Sequence, residues 1–324
     1  MADRTEMLLT TVDLSSSKGL ELGPLINPVV RRDQGNIRYL DHVDTETLRA
    51  RYRSHAGFDV DAIVDIDYAV GDGSVQQAVA ADAPFDYIVA SHVIEHVPDL
   101  VAWLDDLHGV LAEGGVLTLA VPDHRCCFDA LRSPTVLADV VHAHLTGARV
   151  PTARQVFDHY SSAVSWHGVI AFSEQPPFDE LSNVHTEQEA IEQATVSATT
   201  GHYLDVHCWV FTPRSFARVI SGMQRLGLIS FCLESCSESV NGEFFARLRS
   251  TTRQEATTSA QAHQGGVEER RAAEAASVRN ELAAAQRQLA AAQDQLAAMQ
   301  RTRSWRITAP LRTVNAMRAK RAQR

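Results

Sequence analysis

The sequence predicts an α/β protein whose mostly parallel sheet is flanked by helices. Short apolar runs typical of buried strands recur through the first half of the 324-residue chain, and amphipathic segments separate them. The segment from Leu100 to Leu111 is one of these helices, because its leucines are spaced by three or four residues. This alternation predicts parallel strands joined by right-handed crossovers.

Seven strands and four helices of the sheet region are predicted along the chain. A lead-in over residues 1–17, with a short helix, precedes them. The predicted strands are 19–23, 37–41, 62–68, 86–91, 116–121, 228–234 and 244–248, the last two forming an antiparallel hairpin. The predicted helices of the sheet region are 44–53, 74–81, 100–111 and 214–226. Thr45 is expected to cap the first of these helices, and Gly114 with Gly115 to end the third.

The loop after the first strand, within KGLELGPLINPVV, points to a nucleotide-like ligand. Gly23 lets the backbone approach a ligand closely. Eighteen residues later the second strand ends in Asp41, and a carboxylate there can accept two hydrogen bonds from a ribose diol. The spacing therefore predicts an adenosine-containing cofactor. A dinucleotide is not expected, because the loop lacks the further glycines of G-x-G-x-x-G.

Four motifs follow one another over about a hundred residues: LELGPLINP, YLDH, FDYIVASHVIEHVPD and LAEGGVLTLAVPD. Together they resemble the class I S-adenosylmethionine-dependent methyltransferases, especially a bacterial branch that acts on surface glycans and small molecules. The resemblance extends loosely to about residue 250. It implies a Rossmann-like seven-stranded sheet, S-adenosyl-L-methionine as cofactor, and a helical insertion after strand five that forms a substrate lid over about residues 124–202.

The resemblance also implies which residues bind the cofactor. They lie at strand ends and in the loops that follow: Glu21, Gly23, Asn27, Asp41, Asp72, Gly73, Ser91 and His92. Asp41 is expected to hold the ribose, although a carboxylate there could instead cap the next helix. Asp72 and Gly73 are expected beside the adenine, where Asp65 and Asp67 are competing candidates. Glu21 is expected at the amino-acid end of the cofactor, and Ser91 with His92 in the methionine pocket.

Three residues past strands four and five are candidate catalytic bases: His96, Asp123 and His124. His92 and His96 are four residues apart and would share one face of a helix. A neutral imidazole is suited to accept a proton from a sugar hydroxyl near pH 7. The alternative is that Glu95 and His96 only organise the following turn through hydrogen bonds.

No metal site is predicted. Seven histidines fall between residues 142 and 207, but their spacing matches no standard zinc pattern. Asp158 and Asp205 lie near some of them, so a metal-assisted transferase is the alternative. The five cysteines show no paired C-x-x-C spacing and are expected to be ordinary reduced thiols.

The chain divides by charge into an acidic body and a basic tail. Residues 1–250 contain 17 Lys/Arg and 34 Asp/Glu, whereas residues 251–324 contain 13 and 6. The acidic body is not expected to bind nucleic acid or anionic lipid. No apolar run reaches the length of a membrane span, and the start of the chain has no signal-type apolar core. The protein is therefore predicted to be cytoplasmic, at the inner face of the membrane if its tail binds lipid.

The tail is predicted to have three parts. Residues 251–266 are rich in Thr, Ser, Ala and Gln and are expected to form a flexible linker. In residues 267–300, leucines recur every seven positions and predict a coiled coil that binds a second copy or another partner. A single exposed helix is the alternative. Residues 301–324 carry eight basic residues and no acidic one, which is typical of peripheral membrane contact; a solubilising tail is the alternative.

These observations predict a methyltransferase domain over residues 1–250. Its expected substrate is a saccharide or a related small hydroxylated or amino compound of bacterial surface-glycan biosynthesis. The alternative is a non-catalytic cofactor-binding scaffold that recruits glycan-assembly enzymes through its coiled coil.

Overall fold

The computed structural model describes residues 4–54 and 57–262, and six separate helical residues beyond them at 279, 282, 285, 286, 289 and 293. The chain divides into two compact units, Met1–Gln261 and Ala262–Arg324. All the elements numbered below belong to the first unit. Among the described residues, no helix has the length and apolar content needed to cross a bilayer.

The first unit is built on a seven-stranded sheet. Its strands and those of a separate small hairpin are β1 (Lys18–Leu22), β2 (Asn36–Asp41), β3 (Tyr68–Ala69), β4 (Phe85–Ser91), β5 (Leu111–Pro122), β6 (Val164–Trp166), β7 (Leu181–Asn183), β8 (Phe231–Cys236) and β9 (Glu243–Ser250). The order in the large sheet is β3-β2-β1-β4-β5-β9-β8. Strands β1 to β5 pair in parallel, and β9 pairs antiparallel with both β5 and β8. The predicted α/β class and mostly parallel sheet are confirmed.

Eight numbered helices precede or connect these strands in the described part of the first unit, and a further helical stretch follows β9. They are α1 (Arg4–Leu9), α2 (Thr45–Tyr52), α3 (Val75–Ala78), α4 (Leu100–His108), α5 (Leu137–Thr146), α6 (Ala153–Ser162), α7 (Glu187–Thr200) and α8 (Pro213–Arg225). Most begin at a side chain that accepts a backbone N–H, which satisfies a donor the helix leaves free. In α2 this residue is Asp44, whose carboxylate accepts from Thr47 at 2.8 Å. The expectation of Thr45 as the cap is therefore wrong; its hydroxyl accepts the N–H of Ile66 instead.

The third predicted strand is largely absent. Residues 60–62 form a 3-10 turn, and only Tyr68 and Ala69 pair as strand β3. Asp67 explains part of this difference. Its backbone N–H donates to the carbonyl of Tyr39, but the N–H of Tyr39 donates to the Asp67 carboxylate, at 2.7 Å, rather than to a backbone carbonyl. A side chain thus replaces a bond of the strand ladder.

Helix α4 also ends earlier than predicted. Gly109 caps it, because the Gly109 N–H donates to the carbonyl of Asp105. Strand β5 begins soon afterwards at Leu111, which pairs with Phe85. Gly114, with φ of 71°, lies inside β5 at an irregularity in this pairing rather than at the end of the helix.

Two apolar clusters form on alternate residues of β4 and therefore on opposite faces of the sheet. One contains Ile88 and Ala90 with residues of α4, α5 and α8. The other contains Tyr87 and Val89 with residues of α1 and β2. Helix α4 buries four aliphatic side chains in the first cluster, each worth roughly 1.5–3 kcal/mol relative to exposure. The sheet is consequently covered on both sides, as a parallel sheet requires.

The segment between β5 and α8 contains α5, α6, α7 and the hairpin of β6 and β7. Val156, Ala194 and Val206 form a small apolar cluster between its helices. The segment therefore has a core of its own. That it acts as a substrate lid stays a prediction.

The start of the expected linker is not a flexible segment. Residues 253–262 are helical, and Ala256 and Ala260 on this helix are buried. Thr252 and Glu255 form a reciprocal cap, in which the Glu255 N–H donates to the Thr252 hydroxyl and the Thr252 N–H to the Glu255 carboxylate. Burial of the two alanines requires packing against the body, so the domain boundary expected at residue 250 falls too early.

Most of the predicted coiled coil and the whole basic tail lie outside the described residues. Three leucines recur every seven residues in the predicted coiled coil. Two of them, Leu282 and Leu289, are described, and both are helical and exposed. Leu296 and residues 301–324 are not described. The coiled coil and the membrane contact therefore stay predictions.

We expect a chain truncated after residue 262 to keep the unfolding free energy of the first unit, and one truncated after residue 250 to lose roughly 1–3 kcal/mol. The second truncation removes the cap at Thr252 and the buried faces of Ala256 and Ala260. Urea denaturation of both chains measures the difference. Thr252→Ala in the longer chain should account for about 1 kcal/mol of it. Equal stabilities would show that this helix contributes nothing.

Candidate active site

The carboxyl ends of β2, β1 and β4 lie side by side and in register. Asp41 and Ser91 are the last residues of β2 and β4, and Gly23 follows the last residue of β1. The three residues therefore occupy one level along one edge of the sheet. Ligands of open α/β sheets bind beyond this edge, so the structure brings these candidate cofactor residues together.

The loop after β1 leaves its backbone accessible. Gly23 is exposed and has φ of 64°, a conformation that favours glycine. A Cβ at this position would also lie 3.3 Å from a methyl carbon of Val93. The Gly23 N–H donates to the carbonyl of Leu40 at 2.9 Å, which ties the start of the loop to β2. Asn27 lies on the same loop and is exposed.

Glu21 fixes the end of this loop through two hydrogen bonds. Its side chain is buried, and its two carboxylate oxygens accept the N–H groups of Val29 at 2.6 Å and Val30 at 3.0 Å. Burial raises the pKa of Glu21 to about 7, although these two hydrogen bonds favour the ionised form. The residue therefore fastens the returning end of the loop. Its contact with the amino-acid end of a cofactor stays a prediction.

Asp41 ends β2 at the edge where the cofactor is expected, and its contact with a ribose stays a prediction. One of its carboxylate oxygens accepts the N–H of His42 at 2.6 Å, which fixes the side chain at the strand end. Burial raises the pKa of Asp41. The Gly71 N–H donates to the carbonyl of His42 at 2.9 Å. Through this bond, the turn with exposed Asp72 and Gly73 lies next to the end of β2.

The competing adenine candidates have other partners. Asp67 pairs with Arg32 at 2.8 Å and accepts the N–H of Tyr39. Asp65 is exposed and lies 3.5 Å from Arg49. Asp67 therefore stabilises β2 through these contacts. Asp72 is the better candidate for the position beside the adenine.

A cavity of about 410 Å³ lies beyond the ends of β4 and β5. Its lining comes from the chain start, the turn after β4, the insertion and β9, and includes Arg4, His92, Glu95, His96, Phe128, Phe172, His207 and Glu243. The cavity adjoins the strand ends expected to bind the cofactor, because His92 directly follows β4. It is the candidate pocket for a second substrate.

An ionic chain runs along one wall of this cavity. Glu243 accepts from Arg4 at 2.7 Å and lies 2.9 Å from Nε2 of His92. Arg4 also donates to the hydroxyl of Ser91. Burial disfavours the charged ring of His92, but Glu243 and Glu95 outweigh it and raise the pKa of His92 to about 9. His92 is therefore an imidazolium near pH 7 and contributes positive charge to the pocket.

Glu95 and His96 lie in the turn after β4, at the base of the cavity. Glu95 is only 1% exposed, and neither of its carboxylate oxygens accepts a hydrogen bond from the described residues. Burial opposes its ionisation, yet the neighbouring imidazoles hold the pKa of Glu95 below its usual value. Nδ1 of His96 lies 2.8 Å from Asp205. Burial disfavours its charged form, but Asp205 and Glu95 hold the pKa of His96 above its usual value.

His207 completes this base and is oriented by a buried carboxylate. Its Nδ1 lies 2.5 Å from Asp129, which also pairs with Arg132 at 2.8 Å. Arg132 donates to the backbone carbonyl of His207 and pairs with Asp158 on its other side. Burial alone would raise the pKa of Asp129, but His207 and Arg132 lower it to about 2. The carboxylate stays ionised, so Nδ1 of His207 is its hydrogen-bond donor and Nε2 remains for a ligand.

Backbone contacts explain how His207 meets the turn after β4. The N–H of Cys208 donates to the carbonyl of Glu95 at 2.7 Å. The indole of Trp209 donates to the carbonyl of Val97 at 2.6 Å. The end of the insertion thus runs alongside residues 95–97. His207, immediately before these contacts, is carried to the cavity.

The other two predicted bases are placed differently. Asp123 is fully buried, and its carboxylate accepts from the N–H and guanidinium of Arg125. Burial would raise the pKa of Asp123, but Arg125 holds it low. His124 is also buried, and burial lowers its pKa. Neither residue lines the cavity described above. The structure therefore does not bring them together with His96.

Several residues of this site were not singled out from the sequence. Arg4 lies in the lead-in and Glu243 in the last strand, about 240 residues apart. His207 was one of seven histidines in an irregular segment, and Asp129 carried no motif. The only sequence signal for His207 was its proximity to Asp205.

A family model described as "Methyltransferase domain" matches residues 7–224, about two thirds of the chain. No curated protein sequence matches the chain. Solved structures similar to it include an S-adenosylmethionine-dependent methyltransferase from Mesorhizobium loti, at 14% identity over 76% of this chain and 97% of that chain, with a TM-score of 0.38. Another is the N-methyltransferase NodS from Bradyrhizobium japonicum, at 11% identity over 76% and 91%, with a TM-score of 0.32.

The raised pKa of Glu21 predicts a pH dependence of stability. The unfolded carboxyl loses its proton near pH 4.5 and the folded one near pH 7, so ionisation destabilises the folded state across this window. Stability should fall with rising pH, by up to about 3 kcal/mol relative to Glu21→Gln. Urea denaturation at about pH 5 and about pH 8, without cofactor, measures this difference.

Glu113→Gln is the control for this comparison, because it removes an exposed glutamate. Its stability relative to the parent should change little with pH. A difference between parent and Glu21→Gln that stays constant across the window would contradict the raised pKa.

Proposed function

The chain belongs to the family of S-adenosylmethionine-dependent methyltransferases, and from this premise we propose that it methylates a saccharide or a related small hydroxylated or amino compound. S-adenosylmethionine is its cofactor. The observation that carries the proposal is the cavity beyond β4 and β5, whose base holds two imidazoles and a carboxylate. This cavity adjoins the strand ends where the family's cofactor is expected.

The reaction follows from the chemistry of the sulfonium. A hydroxyl oxygen or amine nitrogen of the acceptor attacks the methyl carbon, the C–S bond breaks, and its electron pair stays on sulfur as S-adenosylhomocysteine. The proton of the acceptor must leave as this bond forms. His96, the base expected from the sequence, and His207 both line the cavity, which supports them as the groups that would activate the acceptor. Much of the remaining acceleration comes from positioning the two substrates.

The composition of the cavity wall favours a polyhydroxylated acceptor. The carboxylate of Glu243 and the imidazoles of His92 and His96 offer both hydrogen-bond acceptors and hydrogen-bond donors. Phe128 and Phe172 add apolar surface that suits the C–H faces of a sugar ring. A role in surface-glycan assembly is the wider form of this proposal.

We extend the proposal to the tail. Leu282 and Leu289 are exposed on helical residues and would be buried if residues 267–300 pair with a second copy or a partner protein. The basic segment 301–324 would then bind anionic lipid, at about 1 kcal/mol per residue near the surface. Together they would hold the enzyme at the inner face of the membrane, where glycan-assembly enzymes could be recruited.

The cofactor site is tested by Asp41→Ala. We expect micromolar affinity for S-adenosylmethionine in the parent chain and no competition by NAD. The variant loses two hydrogen bonds to the ribose, each worth roughly 1.5–3 kcal/mol, so its affinity should fall at least tenfold. Calorimetric titration measures both. Asp44→Ala is the matched control: it removes the cap of α2 three residues away and should leave the affinity unchanged. Unaltered binding in Asp41→Ala would remove that residue from the site.

Methyl transfer is tested with labelled S-adenosylmethionine and a panel of free sugars and nucleotide sugars. With an accepted substrate, His207→Ala should keep cofactor affinity and lower turnover by roughly 10²–10⁴-fold. His202→Ala, which removes an exposed imidazole five residues away, should keep full turnover. Loss of cofactor affinity in step with turnover would instead indicate that His207 only supports the fold.

A further inference from the structure

We propose that Glu95, His96 and His207 bind a divalent transition-metal cation at the base of the cavity. A carboxylate oxygen of Glu95 and one ring nitrogen of each histidine all lie within 4.8 Å of one another. Two ligands at about 2.1 Å from one ion are at most about 4.2 Å apart, so small side-chain rotations close the site. Two imidazoles and one carboxylate suit Mn²⁺, Fe²⁺, Co²⁺ or Zn²⁺ and leave coordination positions open.

The state of Glu95 is the second observation. Its carboxylate is almost fully buried, and within the described residues neither oxygen accepts a hydrogen bond. The nearest charge partner is Nδ1 of His92 at 3.5 Å, beyond hydrogen-bonding geometry. A buried carboxylate without a hydrogen-bond partner is costly unless it pairs with a charge or coordinates a metal. A cation held with the two histidines supplies that partner.

Each of the two histidines has a carboxylate beside its Nδ1 atom, which is the arrangement common in metal sites. A histidine that ligates a metal usually directs its other ring nitrogen to a carboxylate, which fixes the ring and raises its basicity. Nδ1 of His207 lies 2.5 Å from Asp129, so Nε2 is the ring nitrogen that remains to bind a cation. Nδ1 of His96 lies 2.8 Å from Asp205, although this contact is not aligned as a hydrogen bond. His207 is therefore oriented by a hydrogen bond, whereas His96 has a carboxylate beside it without that alignment.

The local charge balance also favours a cation. Glu95, Asp129 and Asp205 place three carboxylates within or directly behind the cluster. Arg132 pairs with Asp129 but is shared with a further carboxylate, Asp158. The rival explanation is that the imidazolium of His92 alone neutralises Glu95. Nε2 of that ring lies 2.9 Å from Glu243, and its Nδ1 lies 3.5 Å from Glu95 without forming a hydrogen bond, so one ring is shared between two carboxylates.

The cation would refine the proposed function, and this step rests on that function. Bound at the cavity base, it holds the acceptor hydroxyl at an open position and lowers its pKa. The oxygen then attacks the methyl carbon of S-adenosylmethionine, the C–S electron pair stays on sulfur, and the hydroxyl proton passes to solvent water. His96 and His207 act on the acceptor through the cation. Turnover of the His96 and His207 variants therefore does not distinguish direct activation by a histidine from activation through a cation. Measured cation binding does distinguish them.

The test uses the purified full-length chain, freed of metal with a chelator. Calorimetric titration with Mn²⁺, Co²⁺ and Zn²⁺ should show one cation per chain with about micromolar affinity or tighter, and Co²⁺ should give visible absorption bands. Glu95→Gln and His96→Ala should each lower the affinity at least tenfold. His142→Ala removes an exposed histidine outside the cluster and should leave the affinity unchanged. Thermal unfolding checks that each variant is folded.

Two further variants separate coordination from general support of the fold. Asp129→Asn removes the carboxylate behind His207 and should weaken cation binding about 10- to 100-fold. Asp158→Asn removes a carboxylate of the same ionic network whose ion pair, within the described residues, is with Arg132, and it should lower cation affinity by less than Asp129→Asn does. Equal losses in both would show that the network merely keeps the region folded, and would overturn the role given to Asp129.

The proposal is overturned if the parent chain binds none of the three ions stoichiometrically, or if Glu95→Gln binds them as well as the parent does. S-adenosylmethionine is titrated into the same samples. Cofactor binding without cation binding would leave the proposed function standing and remove the metal site. Cation binding without cofactor binding would leave the metal site standing and remove the proposed function.

Discussion

The parallel pairing of β1 with β2 on one side and with β4 on the other is the constraint on which this site depends. Three neighbouring strands in one register must end at one level, so the loops that follow them converge at one edge. Gly23, Asp41 and Ser91 meet there for that reason, although 68 residues separate the first from the last. Glu21 extends the same constraint into the loop, because it lies in β1 and holds the loop's returning end.

The second half of the site depends on a different kind of interaction. The end of the insertion is bound to residues 95–97 through backbone and indole hydrogen bonds. Behind it, Asp129, Arg132 and Asp158 form a largely buried ionic network around His207. Such a network is costly to bury and is worth its cost mainly where it fixes one geometry. Here it fixes the ring orientation of a histidine that faces the cavity.

The two halves divide the chemical work. The strand ends of β1 and β2 offer a backbone approach and a carboxylate, which suit a nucleoside. The cavity beyond β4 and β5 offers imidazoles, carboxylates and aromatic surface, which suit a hydroxylated acceptor and the activation of its nucleophile. The positive charge of Arg4 and His92 lies between them, at the end of β4. The arrangement therefore places charged groups close to where the methyl group would be transferred.

The sequence by itself determined the α/β class, the strands β1, β2, β4 and β5, the terminal hairpin and the candidate cofactor edge. These depend on local information: apolar periodicity, glycine in a turn, and a carboxylate at a strand end. The tertiary structure alone decided the second half of the site. Arg4, Asp129 and Glu243 carry no local signal, and His207 carries only its proximity to Asp205, because their roles arise only when the insertion and β9 pack beside the turn after β4. Asp123, expected as a catalytic base at the end of β5, is buried and accepts hydrogen bonds from Arg125 two residues later. A buried charge takes the partner that packing supplies, and packing between distant segments cannot be read from spacing along the chain.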